Sequence, residues 1–271
     1  MVTGETIDTS IVRKQEQLSQ TQRALLLNRS SVDLSPLATN SVDLILTDPP
    51  FYNNLAYSEL SDFYYQWLKP WLRKHYGLAA ARFAPFQDSL FVRRRQGKDY
   101  LNYLSGLAAA FEECSRVLRP SGLLAFTFHH REPGAWLALA IALRDGGFRI
   151  TSLCPVRAEG VSGFHSFEGS LKWDAVICCR LGRMRLRRKP SSVVLAGRVA
   201  REEARWTLRI RRNSLPWSEA DRAGYAMAVA LREGVNSRLR SEDFTEFLLD
   251  ISRCYPVAGV APTVPSFGAS A

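Results

Sequence analysis

The sequence predicts an α/β fold in which helices cover a mainly parallel β-sheet. Short apolar runs of strand-like character alternate along the chain with longer segments of helical spacing, an order that is typical of β-α-β units. The 271 residues and the 46% hydrophobic content suffice for one sizeable α/β domain with an appendage, or for two small domains. We therefore expect a globular core, preceded by a polar, flexible leader over residues 1–23.

Two strands open the predicted core. Residues 24–28 form a short apolar run, and residues 42–47, with the sequence VDLILT, form a second that continues directly into Asp48-Pro49-Pro50. Two consecutive prolines cannot continue a sheet ladder, because each lacks an N–H group and has a fixed φ. The chain must therefore leave the sheet at its carboxyl edge, where open α/β sheets place their ligand sites.

Helices and strands alternate in the remainder of the chain. Residues 58–72 have helical spacing and an aromatic stripe that we expect to be core: Leu60, Phe63, Tyr64, Trp67, Leu68 and Trp71. Further helices are predicted over 100–118 and 135–144, from Pro216 onward and over 242–254, and further strands over 123–128, 148–153 and 175–180. Residues 256–271 are predicted to be a disordered tail.

The chain is strongly basic, with a net charge of +10 and a pI near 9.7. Residues 180–212 hold twelve Lys and Arg residues against only Glu202 and Glu203. Such a cluster favours a polyanionic partner, although a solvated basic surface is the plainer alternative. The basic residues that we predict to contact nucleic acid are Arg93, Arg94, Arg95, Arg185, Arg187, Arg188 and Lys189.

Cysteine usage and hydropathy argue against several other classes of protein. The five cysteines are scattered and lack the paired spacing of a zinc site, so we expect reduced thiols and no metal. The sequence has no apolar run of transmembrane length and no secretory leader. We therefore expect a cytoplasmic protein without a membrane partner.

The tetrapeptide Asp48-Pro49-Pro50-Phe51 suits the methylation of an exocyclic amino group, whose lone pair is delocalised into a heterocycle. The Asp48 side chain and a backbone carbonyl of the rigid Pro49-Pro50 unit can each accept a hydrogen bond from the amine and so aim its lone pair at a methyl donor. Phe51 can stack on the flipped base, and Tyr52 can either contact it or simply pack. An ordinary Asp-Pro turn is the alternative reading of the tetrapeptide.

A longer stretch around this tetrapeptide resembles a known enzyme group. The runs Ser41-Val42-Asp43-Leu44-Ile45-Leu46-Thr47-Asp48-Pro49-Pro50-Phe51 and Tyr57-Ser58-Glu59-Leu60-Ser61-Asp62-Phe63-Tyr64-Tyr65-Gln66-Trp67-Leu68 look like adenine-specific DNA methylases of the amino-methyltransferase group. Residues 116–124 (RVLRPSGLL) and 126–130 (FTFHH) are similar to later turns of such enzymes. The resemblance covers roughly residues 24–180.

This resemblance implies a Rossmann-like methyltransferase sheet, S-adenosyl-L-methionine as methyl donor and adenine N6 in DNA as acceptor. Asp48, the Pro50 carbonyl and Phe51 would then have the roles described above. Ser31, Asp33 and Asp48 would lie near the cofactor. The implied methyltransferase-like domain spans residues 24–182, followed by a basic and helical C-terminal region over 183–255.

The chain departs from this pattern at the cofactor site. Such enzymes use a Gly-rich turn after the first strand, because a Cβ atom there would collide with the cofactor, but the sequence contains no Gly-x-Gly. We therefore expect a partial sheet that lacks an N-terminal strand-helix-strand unit. Either a second chain completes the fold, or the chain is a truncated and inactive copy.

Two alternatives from other classes stay open. The first is a non-catalytic nucleic-acid-binding subunit or degenerate methylase, which the missing glycine turn favours. The second is an RNA or protein-glutamine methyltransferase, because related motifs also serve guanine amino groups and planar amides. His129 and His130 are a poor chelating pair, since adjacent strand residues point to opposite faces. One of them is a candidate for the pocket rim, as are Glu159 and His165.

Overall fold

In the computed structural model of the chain, helices pack mainly on one face of a four-stranded sheet. The structure describes residues 10–12, 14–19, 23–27, 29–53, 57–76, 90, 98–158, 171–182, 190–257, 260 and 264. The six helices are α1 (Tyr57–Tyr76), α2 (Lys98–Val117), α3 (Pro133–Asp145), α4 (Ser192–Arg212), α5 (Glu219–Ser237) and α6 (Ser241–Cys254). Within these described residues, no helix is long and apolar enough to cross a membrane.

The N-terminal segment contains a small two-stranded sheet that the sequence pattern did not predict. Strand β1 (Ser10–Val12) pairs in parallel with β2 (Arg23–Leu25), and a 3₁₀ helix over Gln15–Ser19 lies between them. The strand predicted over residues 24–28 is therefore shorter and belongs to this small sheet rather than to the main one. A strand of only three residues has too short a pattern to indicate which strand it pairs with.

The main sheet consists of β3 (Val42–Thr47), β4 (Leu118–Phe128), β5 (Phe148–Arg157) and β6 (Trp173–Leu181), in the order β3-β4-β6-β5. Strand β3 runs parallel to β4, whereas β6 is antiparallel to both β4 and β5. The α/β class is confirmed. The prediction of a mainly parallel sheet holds for β3, β4 and β5, which run in the same direction, but not for β6, which opposes them.

One face of this sheet is buried and the other is much less covered. In β6, Ile177 and Cys179 are fully buried, whereas the alternate residues are only partly so. Helices α2, α3 and α5 contact the sheet. Leu44 and Leu46 on the edge strand β3 remain 50% and 72% exposed. Parallel strands are usually buried on both faces, so β3 has an apolar surface that the described residues do not cover.

The C-terminal helices belong to the same core as the sheet. Leu195 and Val199 of α4 and Tyr225 of α5 join the buried cluster that contains Phe126 of β4. Ser218 begins α5 with a capping box, in which its hydroxyl accepts from the Asp221 N–H while the Asp221 carboxylate accepts from the Ser218 N–H. The predicted helical C-terminal region is thus confirmed, and it packs against the core. The domain boundary at residues 182/183 stays a prediction.

A buried carboxylate ties α4 to α5. Glu203 is 2% exposed and accepts hydrogen bonds from Arg222 (2.8 Å) and Thr207 (2.6 Å), and Trp217 donates to the Thr207 hydroxyl (2.8 Å). Because the Glu203 carboxylate lies beside it, the pKa of Arg222 is raised above its usual value. The network therefore joins the two helices through a charge-assisted pair.

Replacing Glu203 by Ala is expected to lower the free energy of unfolding by about 2 kcal/mol, because it leaves the Arg222 guanidinium without its buried partner. The expected loss of stability is smaller than for a fully buried ion pair, because the Arg222 side chain is 28% exposed and solvent screens its charge. Urea unfolding followed by circular dichroism measures it. The control is Glu246→Ala on the exposed face of α6, and an equal loss in both variants would contradict a specific role for the Glu203 network.

Helix α1 confirms the predicted helix but not its predicted burial. Its aromatic stripe is 47–74% exposed at Leu60, Phe63, Tyr64, Trp67, Leu68 and Trp71. No other helix or strand in the described ranges packs extensively against α1. The spacing predicted an apolar face correctly, whereas the assumption that this face meets the core of the same chain was wrong.

Candidate active site

The Asp-Pro-Pro turn lies at the carboxyl edge of the sheet, as the sequence predicts. Strand β3 ends at Thr47, which pairs with Phe126 of β4. This register places Thr127 beside Asp48, and the Thr127 hydroxyl donates a hydrogen bond to the Asp48 carboxylate. Asp48 is otherwise exposed, whereas Pro49 is buried. The carboxylate is therefore held at one oxygen by the neighbouring strand and is open to solvent.

The two proline carbonyls differ in what they contact. The Pro50 carbonyl accepts hydrogen bonds from the Tyr52 N–H and from the Tyr103 hydroxyl, both at 2.9 Å. Since a carbonyl oxygen has two lone pairs, Pro50 is fully engaged, and the predicted acceptor role for Pro50 does not fit this arrangement. In the described part of the chain, no donor is hydrogen-bonded to the Pro49 carbonyl.

Phe51 lies half-buried between the sheet and the open edge. Its ring meets Phe128 edge-on, with a centroid distance of 5.6 Å, and tilts against His129 at 4.6 Å. These contacts fix the plane of the ring. Phe51 can therefore offer a pre-oriented aromatic surface next to Asp48.

His129 is held in turn by a residue that the sequence reading missed. Its Nδ1 atom contacts the Asp174 carboxylate, and the two side chains are 20% and 16% exposed. Asp174 is the second residue of the antiparallel strand β6, so the topology brings it to the same edge as Asp48. The position of Asp174 beside His129 follows only from the antiparallel pairing of β6 with β4. Thr127 lies within a run that was singled out, but its role was not predicted.

His130 is a structural residue rather than a pocket residue. It is 3% exposed, its Nε2 atom contacts the Asn53 amide oxygen (2.9 Å), and its Nδ1 atom accepts from the Glu132 N–H (2.9 Å). Trp136 donates to the His130 carbonyl at 3.0 Å. Among the described residues, no three His, Cys, Asp or Glu side chains converge on a metal site.

Tyr52 was predicted as a contact to the base, and that prediction is wrong. Its side chain is 5% exposed and packs edge-on against Tyr103 and His130, each at 5.2 Å. Burial, with the nearby Glu132 charge, raises the pKa of Tyr52 to about 12. The left-handed φ of 54° at Tyr52 turns this ring into the core.

The residues predicted near the cofactor do not converge. The segment around Ser31 and Asp33 packs on the end of α2, since the Leu34 N–H donates to Glu113 at 2.7 Å. Helix α2 ends where β4 begins, at the amino edge of the sheet and opposite to Asp48. The Asp33 carboxylate accepts from Arg29 and from the Ser35 N–H, and the bonding to Ser35 lowers its pKa. The family resemblance had placed Ser31 and Asp33 beside Asp48, whereas the structure places them at the opposite edge of the sheet.

The predicted basic contacts lie outside the described residues, which include none of Arg93, Arg94, Arg95, Arg185, Arg187, Arg188 and Lys189. The same holds for Glu159 and His165. Helix α4, from the same basic part of the chain, does present a basic surface. Its exposed positions include Arg201, Arg205, Arg209, Arg211 and Arg212, while Glu202 faces α5 and pairs with Arg232 at 2.7 Å.

Comparison with known proteins gives few matches. No family model matches the chain, and no curated protein matches it. Three solved structures of a proposed DNA modification methylase from Thermus thermophilus are similar in part. The selenomethionine derivative has 13% identity and a TM-score of 0.30, covering 59% of this chain and 53% of the other.

The form complexed with S-adenosyl-L-methionine has 14% identity and a TM-score of 0.34, covering 88% of this chain and 97% of the other. A third structure of the same methylase has 14% identity and a TM-score of 0.32, covering 87% and 96%. Identity and structural overlap are low in all three.

Proposed function

We propose that the chain carries the acceptor site of an S-adenosyl-L-methionine-dependent methyltransferase that methylates the exocyclic amino group of adenine (N6) in DNA. One observation carries this proposal: the Asp48 carboxylate, held by Thr127, is followed in the chain by a Pro49 carbonyl that accepts no hydrogen bond from the described residues and by the Phe51 ring, which packs on Phe128 and His129. Two acceptors and one aromatic surface match a planar base with an amino group.

The chemistry follows from these three groups. The target base leaves its stack and lies against Phe51, which offsets part of the few kcal/mol that unstacking costs. The Asp48 carboxylate and the Pro49 carbonyl each accept a hydrogen bond from the amino group, which withdraws its lone pair from the ring and directs it outward. Asp48 is solvent-exposed, so the proton lost from nitrogen has a path to water.

The described residues fit the acceptor half of the reaction better than the donor half. S-adenosyl-L-methionine would supply an electrophilic methyl group, and backbone must approach it closely at a glycine-containing turn. The two described glycines with positive φ, Gly147 and Gly182, lie at the sheet edge opposite to Asp48. No step of the proposed chemistry therefore depends on a cofactor position in this chain.

A completing unit beside β3 would supply the donor half. Strand β3 pairs only with β4 among the described strands, and Leu44 and Leu46 are exposed on it. The apolar stripe of α1 is also exposed. Contiguous exposed apolar surface of this kind marks interaction sites. In this proposal, a strand-bearing segment of the full chain pairs with the free edge of β3, so the full chain binds the methyl donor without a second protein.

The arrangement of Asp48, the Pro49 carbonyl and Phe51 also fits a second candidate function, that of a non-catalytic nucleic-acid-binding subunit. Titration calorimetry with S-adenosyl-L-methionine and S-adenosylhomocysteine, with and without duplex DNA, separates the two. The proposed function predicts dissociation constants in the micromolar range for both ligands. Absence of binding under every condition would contradict methyl transfer by this chain and favour the binding subunit.

Asp174 acts in this proposal as a positioning residue for His129 and, through it, for the Phe51 ring. Replacing Asp174 by Asn is expected to lower kcat/KM for methyl transfer roughly tenfold, because small displacements of a reacting group are costly. Steady-state kinetics measures the loss, which should fall mainly on KM. Asp250→Asn, at an exposed surface ion pair, is the matched control. A loss of thermal stability with unchanged KM would show that Asp174 serves only the fold.

A further inference from the structure

A second charged feature lies at the sheet edge opposite to Asp48. An open groove of about 330 Å³ runs between the end of α3, the start of β5 and the end of α5. Four arginines line it, namely Arg144, Arg149, Arg238 and Arg240, against Asp145 as the acidic lining residue. Nothing in the methyl-transfer proposal uses this groove.

The walls of the groove are fixed to each other. The Asn236 side chain accepts from the Ile150 N–H (3.0 Å) and donates to the Ile150 carbonyl (2.8 Å), which joins α5 to β5. Arg144 donates to the Leu239 carbonyl. The Gly182 N–H donates to the Gly147 carbonyl at 3.1 Å. The charged groups therefore stand on a rigid support.

Within the described residues, three of the four arginines form no ion pair, and of these only Arg144 forms a side-chain hydrogen bond, to the Leu239 carbonyl. Arg240 pairs with Asp243 at 3.1 Å, but neither Arg149 nor Arg238 forms an ion pair with any residue that the structure describes. Arg149 also lies directly opposite Arg180 in the β5–β6 pairing. Like charges directly opposite each other destabilise a sheet. Arg180 donates to the Ser121 and Gly122 carbonyls, which leaves Arg149 as the guanidinium of this pair that can bind an anion.

Arg238 adds a second cost. It ends α5 in the left-handed conformation, with φ 52° and ψ 46°. This position usually holds glycine or asparagine, because a longer side chain is strained there. Attraction between a cation and the carbonyl end of the helix explains a basic residue in the last turn, but not one at the left-handed position itself.

We propose that this arginine groove binds the phosphodiester backbone of a nucleic acid. Guanidinium groups bind phosphate through paired, charge-assisted hydrogen bonds, and an open groove accommodates a polymer. The proposal extends the proposed function to a second contact with the same polymer, but it concerns binding alone and does not require methyl transfer.

The test is the salt dependence of duplex DNA binding by the full chain, measured by fluorescence anisotropy for Arg149→Ala and Arg238→Gly. Each variant is expected to reduce the slope of log K against log salt by about 0.9, so that it loses roughly three- to fourfold less affinity than the parent between about 50 and 200 mM salt. Arg238→Gly should leave the melting temperature unchanged or raise it, because glycine suits that φ.

The matched control is Arg253→Ala on α6, which removes the same charge from an exposed ion pair and is expected to leave the slope unchanged. Slopes equal to the parent in both groove variants would overturn the proposal. Weaker binding of inorganic pyrophosphate by these variants, with normal duplex binding, would overturn it in favour of a small anion. If the parent chain bound duplex DNA but transferred no methyl group, and both groove variants still had reduced salt slopes, the proposed function would fail while the groove proposal would stand.

Discussion

Replacing Asp48 by Ala is expected to lower kcat for methyl transfer by about 10²- to 10³-fold, the size of effect seen when one pre-oriented hydrogen-bonding group is removed from a developing charge. The amine would keep only the Pro49 carbonyl as acceptor, so its lone pair would stay delocalised. Duplex DNA affinity should change little, because Asp48 is exposed and its carboxylate contacts Thr127. Single-turnover kinetics measures the chemical step directly.

Two further variants sharpen the Asp48 prediction. Asp48→Asn keeps one oxygen acceptor, so its loss should be smaller than that of Asp48→Ala. Thr127→Val keeps the carboxylate but removes the hydroxyl that orients it, so an intermediate loss is expected. If Asp48→Ala lost DNA binding and thermal stability along with activity, Asp48 would be a structural residue of an ordinary Asp-Pro turn.

The second large effect is expected at Phe51. Replacing it by Ala removes the aromatic surface on which the base stacks, a contribution of about 1–3 kcal/mol per base. The expected loss in kcat/KM is therefore about 5- to 150-fold, and it should appear mainly in KM. Methyl-transfer kinetics at varied DNA concentration measures it.

The control for Phe51 is Phe51→Leu, which preserves much of the packing against Phe128 while losing the flat ring. Stacking predicts that Leu behaves nearly as badly as Ala, whereas a purely structural role predicts that Leu restores activity. Replacement by Trp, with a larger aromatic face, is expected to keep most of the activity. Full activity in Phe51→Leu would therefore exclude a stacking role for this ring.

The parts of the fold that depend on local pattern were predictable. Apolar runs gave the four strands of the main sheet within a few residues, and Pro49-Pro50 correctly placed the exit of the chain at the carboxyl edge of β3. Proline rigidity and strand periodicity are local properties. The positions of Asp48 and Phe51 beside that exit were predictable for the same reason, because both follow β3 directly in sequence.

The parts that depend on strand pairing were not predictable from one sequence. The antiparallel direction of β6 places Asp174 beside His129, although 45 residues separate them. Helical spacing showed that α1 has an apolar face without showing whether anything covers it. The buried position of Tyr52 follows from a left-handed φ at a non-glycine residue, which side-chain chemistry gives no reason to expect.

In the proposed function, Asp48, the Pro49 carbonyl and Phe51 present an adenine amino group for methylation. The most direct test incubates the full chain with S-adenosyl-L-methionine and duplex DNA, and then identifies the nucleosides by mass spectrometry after digestion. We expect N6-methyladenine with the parent chain and its loss with Asp48→Ala. Duplex DNA that is bound normally but yields no methylated nucleoside would contradict the claim, and would identify the chain as a nucleic-acid-binding subunit.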